Sequence, residues 1–410
     1  MTDLHKKIED YIPIVGQEKV EELKLIAQKL KGKTIQSINS TAVGGGVAEI
    51  LSRMVPLLNN LGVDTKWDVI KGDLEFFGVT KKIHNALHGG KGITKKDVNI
   101  FLETSRLNLE RTPLYGDIIF VHDPQPIALI GKKSTLDSKW IWRCHVDVSQ
   151  PNKSVWNFLK KYIEKYDATV FSAPAFSQKL KVKQFMICPS IDPLSEKNRD
   201  LTDVDVSSVL KKYGLPHNVP LVTQVSRYDR LKDPAGVIDA YKLVRKYINC
   251  HLVLAGSHAS DDPEGSEVLA EIREKAKGDP QIHLLVVDPK TNDFDVNALQ
   301  RGSAVVIQKS LREGFALTVT EALWKARPVV ASAVGGIPLQ IAHKYSGLLC
   351  HSIEGAALHI KQFLHNPAYA KKLGTNGKEH IRQNYLLTRH LREYMLLFLS
   401  LYNKEDIVYL

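Results

Sequence analysis

Short apolar runs typical of buried strands alternate with longer amphipathic stretches along most of this 410-residue chain. Among the apolar runs are residues 34–39, 117–123 and 221–226, and residues 47–62 and 234–248 carry the helical pattern. Buried strands that are separated by helices form a parallel sheet with helices on both faces. The alternation therefore predicts an α/β fold made of doubly wound parallel sheets.

The alternation is interrupted once, at about residues 189–220, where Pro, Asp and Ser are frequent and only one short helix is indicated. A second alternation follows this connection, so we predict two Rossmann-like domains. Residues 1–212 would form the first domain, joined by a C-terminal helix at about 386–410. Residues 213–385 would form the second, and the tail from about Asn366 has a continuous helix-forming composition.

Two glycine-containing loops, residues 41–50 and 332–341, each follow a predicted strand and precede a predicted helix, one in each half. This similarity fits two α/β domains that face each other. Ligands of such folds bind at the carboxyl ends of the strands, and here that predicts a cleft between the domains.

Composition excludes several other classes of protein. Apolar residues make up 43% and charged residues 25%, as in ordinary globular proteins, and no long uncharged apolar window or apolar leader occurs. The four cysteines are scattered without a CxxC pair, which is typical of a cytoplasmic protein with free thiols.

The net charge of +11 raises the question of an anionic partner. Lys and Arg are spread along the chain without a basic block, which argues against nucleic acid. A basic cleft for an anionic small molecule is the favoured interpretation, and part of the charge is explained equally well by a solvated surface.

The first glycine loop contains Gly44, Gly45 and Gly46 before a predicted helix. Backbone N–H groups at a helix N-terminus bind anions, and three glycines exceed what a tight turn alone requires. A dinucleotide fingerprint is disfavoured because Glu49 occupies its third glycine position, and no Gly-Lys-Ser/Thr follows as in a P-loop.

A cationic loop follows the first strand of the second half, with Arg227 and Lys232. A planar guanidinium and a point-charge ammonium together suit a diphosphate, although loop cations are often only solvated.

Glu313 and Glu321 flank the start of a predicted helix. Glu313 lies in the preceding turn and Glu321 lies past the first helical turn, so a catalytic dyad is disfavoured. An alternative for Glu313 is a surface carboxylate that stabilises the helix start. Free backbone N–H groups there would suit a phosphate. The residues that would supply them are Gly314, Phe315, Ala316 and Leu317.

Polar residues also end two strands of the first half, namely His122 with Asp123, and His145 with Asp147. No third and fourth metal ligand lies close in sequence, so hydroxyl recognition or proton handling is preferred. Two Asp-x-Asp triplets, at 203–205 and 293–295, are interpreted as structural because Asp commonly caps helices.

These parts together resemble a known family. Glu313 and Glu321, followed by ALWKARPVVASAVGGIP, resemble the retaining GT-B glycosyltransferases, with Ala316 standing where Gly is common. Over nearly the whole chain, longer phrases are similar to the trehalose synthase (glycosyltransferring) and retaining trehalose phosphorylase group. These phrases are INSTAVGGGVAEIL, VHDPQP, WRCHVD, PSIDPLSEKN, SHASDDPEG and REGFALTVTEALWK.

The resemblance implies a donor site in the second domain. Arg227 and Lys232 would bind the donor diphosphate, Glu313 would lie against the glucosyl ring, and Glu321 would accept hydrogen bonds from the ribose. Residues 314–317 would contribute their backbone N–H groups.

The resemblance also implies roles for the first domain. Gly45 and Gly46 would approach the phosphate or the acceptor, and His145 would bind a hydroxyl of the donor sugar. His122 and Asp123 would belong to the acceptor pocket. The residues assigned to catalysis are then Glu313, His145, Arg227 and Lys232.

The activity implied is reversible synthesis of trehalose from a nucleoside-diphosphate glucose and glucose, with retention. No cofactor is required, and stimulation by Mg²⁺ and a homodimer are both compatible with the family. A trehalose phosphorylase using glucose 1-phosphate and a non-catalytic sugar-nucleotide-binding protein remain as alternatives. The base of the nucleotide stays open between ADP, UDP and GDP.

Overall fold

A computed structural model describes residues 6–43, 45–256, 263–287 and 292–402. Contacts between Cα atoms divide the chain into two units. The first unit is Met1–Ser190 with Leu387–Leu410, and the second is Ile191–Leu386.

The first unit contains a six-stranded parallel sheet in the order β2-β1-β3-β4-β5-β6. Its strands are β1 (Thr34–Asn39), β2 (Asp64–Val69), β3 (Ile118–His122), β4 (Lys139–Arg143), β5 (Ala168–Phe171) and β6 (Lys183–Met186). Every residue of β3 and β5 is buried, as expected of strands covered by helices on both faces.

Some helices of the first unit begin at polar capping residues. Asp73 accepts a hydrogen bond from Phe76 N, and Thr94 forms a capping box with Asp97. The helices are α1 (Ile12–Val15), α2 (Gln17–Gln28), α3 (Gly45–Asn60), α4 (Leu74–Leu87), α5 (Lys95–Arg111) and α6 (Lys153–Ile163). Short 3₁₀ turns occur at Ile8–Tyr11, Ile127–Thr135 and Pro174–Phe176.

The second unit contains another six-stranded parallel sheet, in the order β12-β11-β10-β7-β8-β9. Its strands are β7 (Leu221–Val225), β8 (His251–Gly256), β9 (Ile282–Val286), β10 (Val305–Gln308), β11 (Val329–Ser332) and β12 (Leu348–Cys350). Strand β8 alternates between the two faces: Leu252 and Leu254 belong to one apolar cluster, and Val253 and Ala255 belong to another.

Helices cover both of these faces. They are α7 (Asp203–Lys212), α8 (Pro234–Arg245), α9 (Pro263–Ala276), α10 (Asn292–Gly302), α11 (Leu317–Trp324), α12 (Ile337–Gln340), α13 (Ile353–His365) and α14 (Pro367–Asn384), with a 3₁₀ turn at Arg230–Lys232. Within the described residues, no helix is long and apolar enough to cross a membrane.

The predicted doubly wound α/β organisation is confirmed in both halves, and two strands were not predicted. Both β6 and β12 lie at sheet edges. No residue of β6 is fully buried, and β12 has only three residues. Edge strands of this kind carry little apolar periodicity, so their sequences give a weak signal.

The predicted boundary between the domains requires correction. The first unit ends at Ser190, whereas the sequence suggested residue 212. The intervening α7 packs against α10, and Lys212 and Tyr213 both bind the carboxylate of Asp295. The Pro- and Asp-rich connection therefore belongs to the second unit, held there by contacts distant in sequence.

The helix-forming tail from about Asn366 contains two helices, and the break lies close to residue 386, where the sequence predicted that the C-terminal helix of the first domain starts. Helix α14 ends at Asn384, and α15 (Leu387–Ser400) begins three residues later and belongs to the first unit. Between them, Tyr385 O accepts a hydrogen bond from Ile191 N. This contact replaces a helical hydrogen bond, so the chain breaks at the position where it passes from one unit to the other.

Two arginines on α15 bind the rest of the first unit in different ways. Arg389 donates to Cys188 O (2.9 Å) and Pro189 O (3.0 Å), whereas Arg392 pairs with Glu22 across a half-exposed surface. We expect Arg389→Ala to lower the stability of the first unit by about 1–3 kcal/mol because two partly buried carbonyls lose a charged donor. The matched Arg392→Ala should cost less than about 1 kcal/mol. Denaturant unfolding measures both, and equal losses would contradict this account.

Candidate functional site

Two loops meet at the carboxyl ends of neighbouring strands in the second unit. Strands β7 and β10 pair in parallel, so the segments that follow them leave the sheet side by side. Lys232 Nζ, from the first loop, lies 2.5 Å from Glu313 Oε2, from the second. The structure thus brings together two predicted site residues that are far apart in the sequence.

Residues at or just after the ends of β7 and β10 hold the Lys232–Glu313 ion pair in place. Glu313 is 8% exposed, and its Oε2 also accepts from Ser310 Oγ at 3.0 Å. Ser310 in turn accepts from Gln308 Nε2, while Gln224 Nε2 donates to Lys232 O. A buried carboxylate held in this way has a fixed orientation, with a cation beside it.

Arg227 is placed differently from Lys232. Its side chain is 55% exposed and lies 3.8 Å from Asp229, and no described contact joins it to Glu313. A cation that sequence reasoning missed lies nearer the strands. Lys309 directly follows β10, is buried, and forms a short ion pair with Asp233. Its position immediately after a buried strand was the available signal.

The predicted turn and helix after Glu313 are present. Ala316 has a left-handed backbone (φ +70°) as N-cap of α11, with no side-chain hydrogen bond to cap the helix. The left-handed conformation costs a residue with a Cβ about 1 kcal/mol. The first backbone N–H groups of α11 and its dipole can therefore serve an anion.

A second glycine pair holds this turn in place. An added Cβ on Gly335 would lie 1.7 Å from Glu313 O, and one on Gly336 would lie 2.7 Å from the Phe315 ring and 2.9 Å from Gly314 O. This loop was noted in the sequence for its similarity to the first glycine loop. No local pattern indicated that the loop packs on Glu313. Only residues without side chains allow this close approach.

Glu321 belongs to a separate network. It lies in α11, is 4% exposed, and its Oε1 is 3.7 Å from Lys197 Nζ. Lys197 comes from the connection between the units' sheets and was not singled out in the sequence. The described contacts pair Glu313 with Lys232 and Glu321 with Lys197.

One aspartate of each Asp-x-Asp triplet makes a structural contact, as predicted, whereas Asp293 lies 3.6 Å from Lys197, the partner of Glu321. Asp205 forms the capping box of α7 with Thr202, and Asp295 binds Lys212 and Tyr213. Among the described residues, no group of three or more His, Cys, Asp or Glu side chains could hold a metal ion.

The first glycine loop also connects a strand and a helix. Gly45 and Gly46 lie in the first turn of α3, and Gly44 lies outside the described residues. The preceding turn is fixed by Asn39, whose Nδ2 donates to Thr41 O at 2.7 Å. Gly45 and Gly46 are therefore at a helix N-terminus, where the sequence predicted them.

His122, Asp123 and His145 meet at the ends of β3 and β4. His122 Nδ1 and His145 Nε2 lie 3.1 Å apart, and His145 N donates to Asp123 Oδ1 at 2.8 Å. Asp123 has a left-handed backbone (φ +65°), and its carbonyl accepts from Trp142 Nε1. Asp147 lies apart from this group: its carboxylate accepts from Ser149 N in a local turn.

Burial controls the charge of this group. Together with the nearby Arg143, burial lowers the pKa of His122 to about 3 and that of His145 well below its usual value. Burial raises the pKa of Asp123 to about 6, against the opposing effects of the His145 N–H and Arg143. Both imidazoles are therefore neutral hydrogen-bonding groups at neutral pH.

Comparison with known proteins identifies related families. Residues 37–178 match the family described as trehalose synthase, N-terminal domain, and residues 206–380 match glycosyl transferases group 1. A trehalose synthase of Pyrococcus horikoshii is 41% identical over 97% of both chains, and one of Rubrobacter xylanophilus is 43% identical over 97% of both. A trehalose phosphorylase of Grifola frondosa is 31% identical over 86% of this chain and 55% of that one.

Solved structures extend the comparison to the fold. An α,α-trehalose-phosphate synthase (UDP-forming) from Burkholderia xenovorans superposes with a TM-score of 0.72 at 13% identity, covering 91% of this chain and 100% of that chain. HepE from Anabaena, in complex with UDP and glucose, gives 0.67 at 14% identity, covering 90% and 100%. These are GT-B glycosyltransferases, so the predicted GT-B class is confirmed.

The glycine that packs on Glu313 provides a test of the site geometry. We expect Gly335→Ala to lower the catalytic rate about a hundredfold, because the Glu313 backbone must move by more than 1 Å. Gly214→Ala is the matched control: Gly214 has a similar φ (+64°) with nothing within 4 Å. It should lose only about 1 kcal/mol of stability through backbone strain and keep its rate. Similar rates for the two variants would show that the contact does not position Glu313.

Proposed function

Since this chain belongs to the trehalose synthase family of glycosyltransferases, we propose that it makes trehalose by transferring glucose from a nucleoside-diphosphate glucose to glucose. The transfer retains the anomeric configuration and is reversible. The observation that carries this proposal is the Lys232–Glu313 pair beside the start of α11, in which a buried, fixed carboxylate lies next to donors for an anion.

The donor binds to the second unit in this proposal. Its diphosphate is received by the backbone N–H groups at the start of α11, with Lys232 and the exposed Arg227 as cations. Lys232 and Ser310 both contact Oε2 of Glu313. In this proposal, Oε1 is the oxygen that accepts from a hydroxyl of the glucosyl ring. Glu321, in its separate network with Lys197, accepts from the ribose.

Catalysis depends on the charge that develops as the glycosidic bond breaks. The leaving diphosphate gains negative charge, and the cations and helix N–H groups stabilise it more in the transition state than in the ground state. The acceptor hydroxyl attacks the same face of the anomeric carbon, and the departing phosphate oxygen takes its proton. No nucleophilic side chain is needed for this route to retention.

The first unit contributes two neutral imidazoles and the carboxylate of Asp123. His145 binds a hydroxyl of the donor sugar, and Asp123 with His122 lies in the acceptor region. With a pKa of about 6, Asp123 is mostly ionised at neutral pH and accepts hydrogen bonds from the acceptor sugar. Gly45 and Gly46 approach the phosphate or the acceptor at the start of α3.

The proposal needs no metal ligand from the protein. The residues that we assign to the diphosphate are cations, which repel a metal ion and complement a phosphate directly. Any stimulation by Mg²⁺ would then arise from its binding to the phosphates of the nucleotide.

The alternative activity, a retaining trehalose phosphorylase, is favoured by one finding, the 31% identity to such an enzyme. A phosphorylase has no ribose to bind, whereas Glu321 is held as a fixed carboxylate within α11, the helix whose start receives the diphosphate. We therefore favour the synthase.

A matrix of donors distinguishes these activities. Purified protein is incubated with glucose and either ADP-, UDP- or GDP-glucose or glucose 1-phosphate, and the product and its linkage are identified by NMR. We expect trehalose from at least one nucleotide sugar and none from glucose 1-phosphate. Trehalose formed only from glucose 1-phosphate would establish the phosphorylase, and no product from any pair would leave a binding protein.

The two glutamates should give different kinetic defects. We expect Glu313→Gln to lower kcat about a hundredfold with little change in KM, because its contact is made at the reacting sugar. Glu321→Gln should mainly raise KM for the nucleotide sugar, by about tenfold. Glu103→Gln, at an exposed position of α5, controls for the substitution itself. The same kinetic signature for Glu313 and Glu321 would disprove this division of roles.

A further inference from the structure

The two histidines of the first unit form a direct hydrogen bond whose direction has a chemical consequence. His122 Nδ1 and His145 Nε2 are 3.1 Å apart, and their rings lie nearly parallel, at 24°. Both imidazoles are neutral, so one hydrogen lies between the two nitrogens. Either His122 donates it or His145 does, and this choice fixes which nitrogen of His145 carries its hydrogen.

The second nitrogen of His122 decides between these two arrangements. His122 is 2% exposed, and its Nε2 is buried without a hydrogen-bond partner among the described residues. If His145 donated, His122 would carry its hydrogen on Nε2, as a buried donor with no acceptor. If His122 donates, Nε2 holds only a lone pair.

Arg143 favours the lone pair. Arg143 is the register partner of His122 in the β3–β4 pair, so the two side chains leave the sheet on the same face. It is fully buried, donates to Phe171 O and Ser172 Oγ, and its Nε has no hydrogen-bond partner among the described residues. A buried guanidinium attracts a lone pair and repels an N–H group.

The position of His145 is fixed independently of its ring. Its backbone N–H donates to Asp123 Oδ1 at 2.8 Å. Asp123 is itself held by Trp142 Nε1 and by its N–H bond to Arg143 O. The ring therefore meets His122 through Nε2 from a rigid backbone, and Nδ1 is the nitrogen left for a ligand.

We propose that His122 is a positioning residue, which donates its Nδ1 hydrogen to His145 Nε2 and so makes His145 Nδ1–H a permanent hydrogen-bond donor to a sugar oxygen. A donor at this position binds a lone pair of the hydroxyl and leaves the hydrogen of that hydroxyl free for another acceptor. The kinetic part of this inference rests on the proposed function, and the tautomer itself does not.

Two isosteric variants separate this role from packing. In His122→Asn, the side-chain NH₂ lies at about the position of the His122 Nδ1 atom and can donate to His145, whereas His122→Leu has the same shape without a donor. We expect the Asn variant to keep more of the wild-type kcat than the Leu variant. The Leu variant should lose at least about tenfold in kcat with little change in KM.

The tautomer is read directly by ¹⁵N NMR of protein labelled at histidine, with the His145 signal assigned by its loss in His145→Gln. Wild type and His122→Asn should show the hydrogen on Nδ1 of His145, and His122→Leu should not. A wild-type signal with the hydrogen on Nε2 would overturn the proposal even if neither variant folds. So would equal kinetic losses in the Asn and Leu variants, or an unchanged His145 signal in the Leu variant.

Failure of the proposed function is distinguishable from failure of this inference. If the wild type makes no trehalose from any donor, the synthase proposal fails while the NMR signal of His145 still decides the tautomer.

Discussion

The ion pair between Lys232 and Glu313 depends on the parallel pairing of β7 with β10, and the candidate donor site depends on that ion pair. It joins loops that are 81 residues apart in the chain, and it does so within a region that is largely buried. A buried carboxylate without a cation would be strongly destabilised, so each partner requires the other. The rest of the site is arranged around this pair: strand residues below it, the start of α11 beside it, and Gly335 packed against its backbone.

In the first unit, the two side chains that link neighbouring strand ends are histidines without charge. Burial keeps His122 and His145 uncharged, and a single hydrogen bond links them at the ends of β3 and β4. The cations of the second unit suit the anionic diphosphate of the proposed donor, and the neutral imidazoles of the first unit, with the Asp123 carboxylate, suit hydroxyl groups. This division of chemistry between the units matches what a sugar-nucleotide donor and a sugar acceptor each require.

Sequence reasoning placed the candidate site residues at strand ends, and the structure explains why some of their neighbours were missed. Three of these neighbours have no distinctive local sequence, and only their tertiary contacts connect them with the candidate site. They are Lys309, which contacts Asp233, Lys197, which contacts Glu321, and Gly335, which packs on Glu313. The roles of Arg227, Gly45 and Gly46 remain predictions of the resemblance, because their contacts would be made to ligands.

The sequence by itself determined the alternation of strands and helices, the two-domain organisation and the family, because apolar periodicity and local turn chemistry are properties of short segments. Only the tertiary structure decided where the first unit ends and which charges meet. Those outcomes depend on packing and electrostatic contacts between residues distant in the chain, such as Asp295 with Lys212 and Lys232 with Glu313. No local pattern encodes such pairs, since each is fixed by the sheet that brings the segments together.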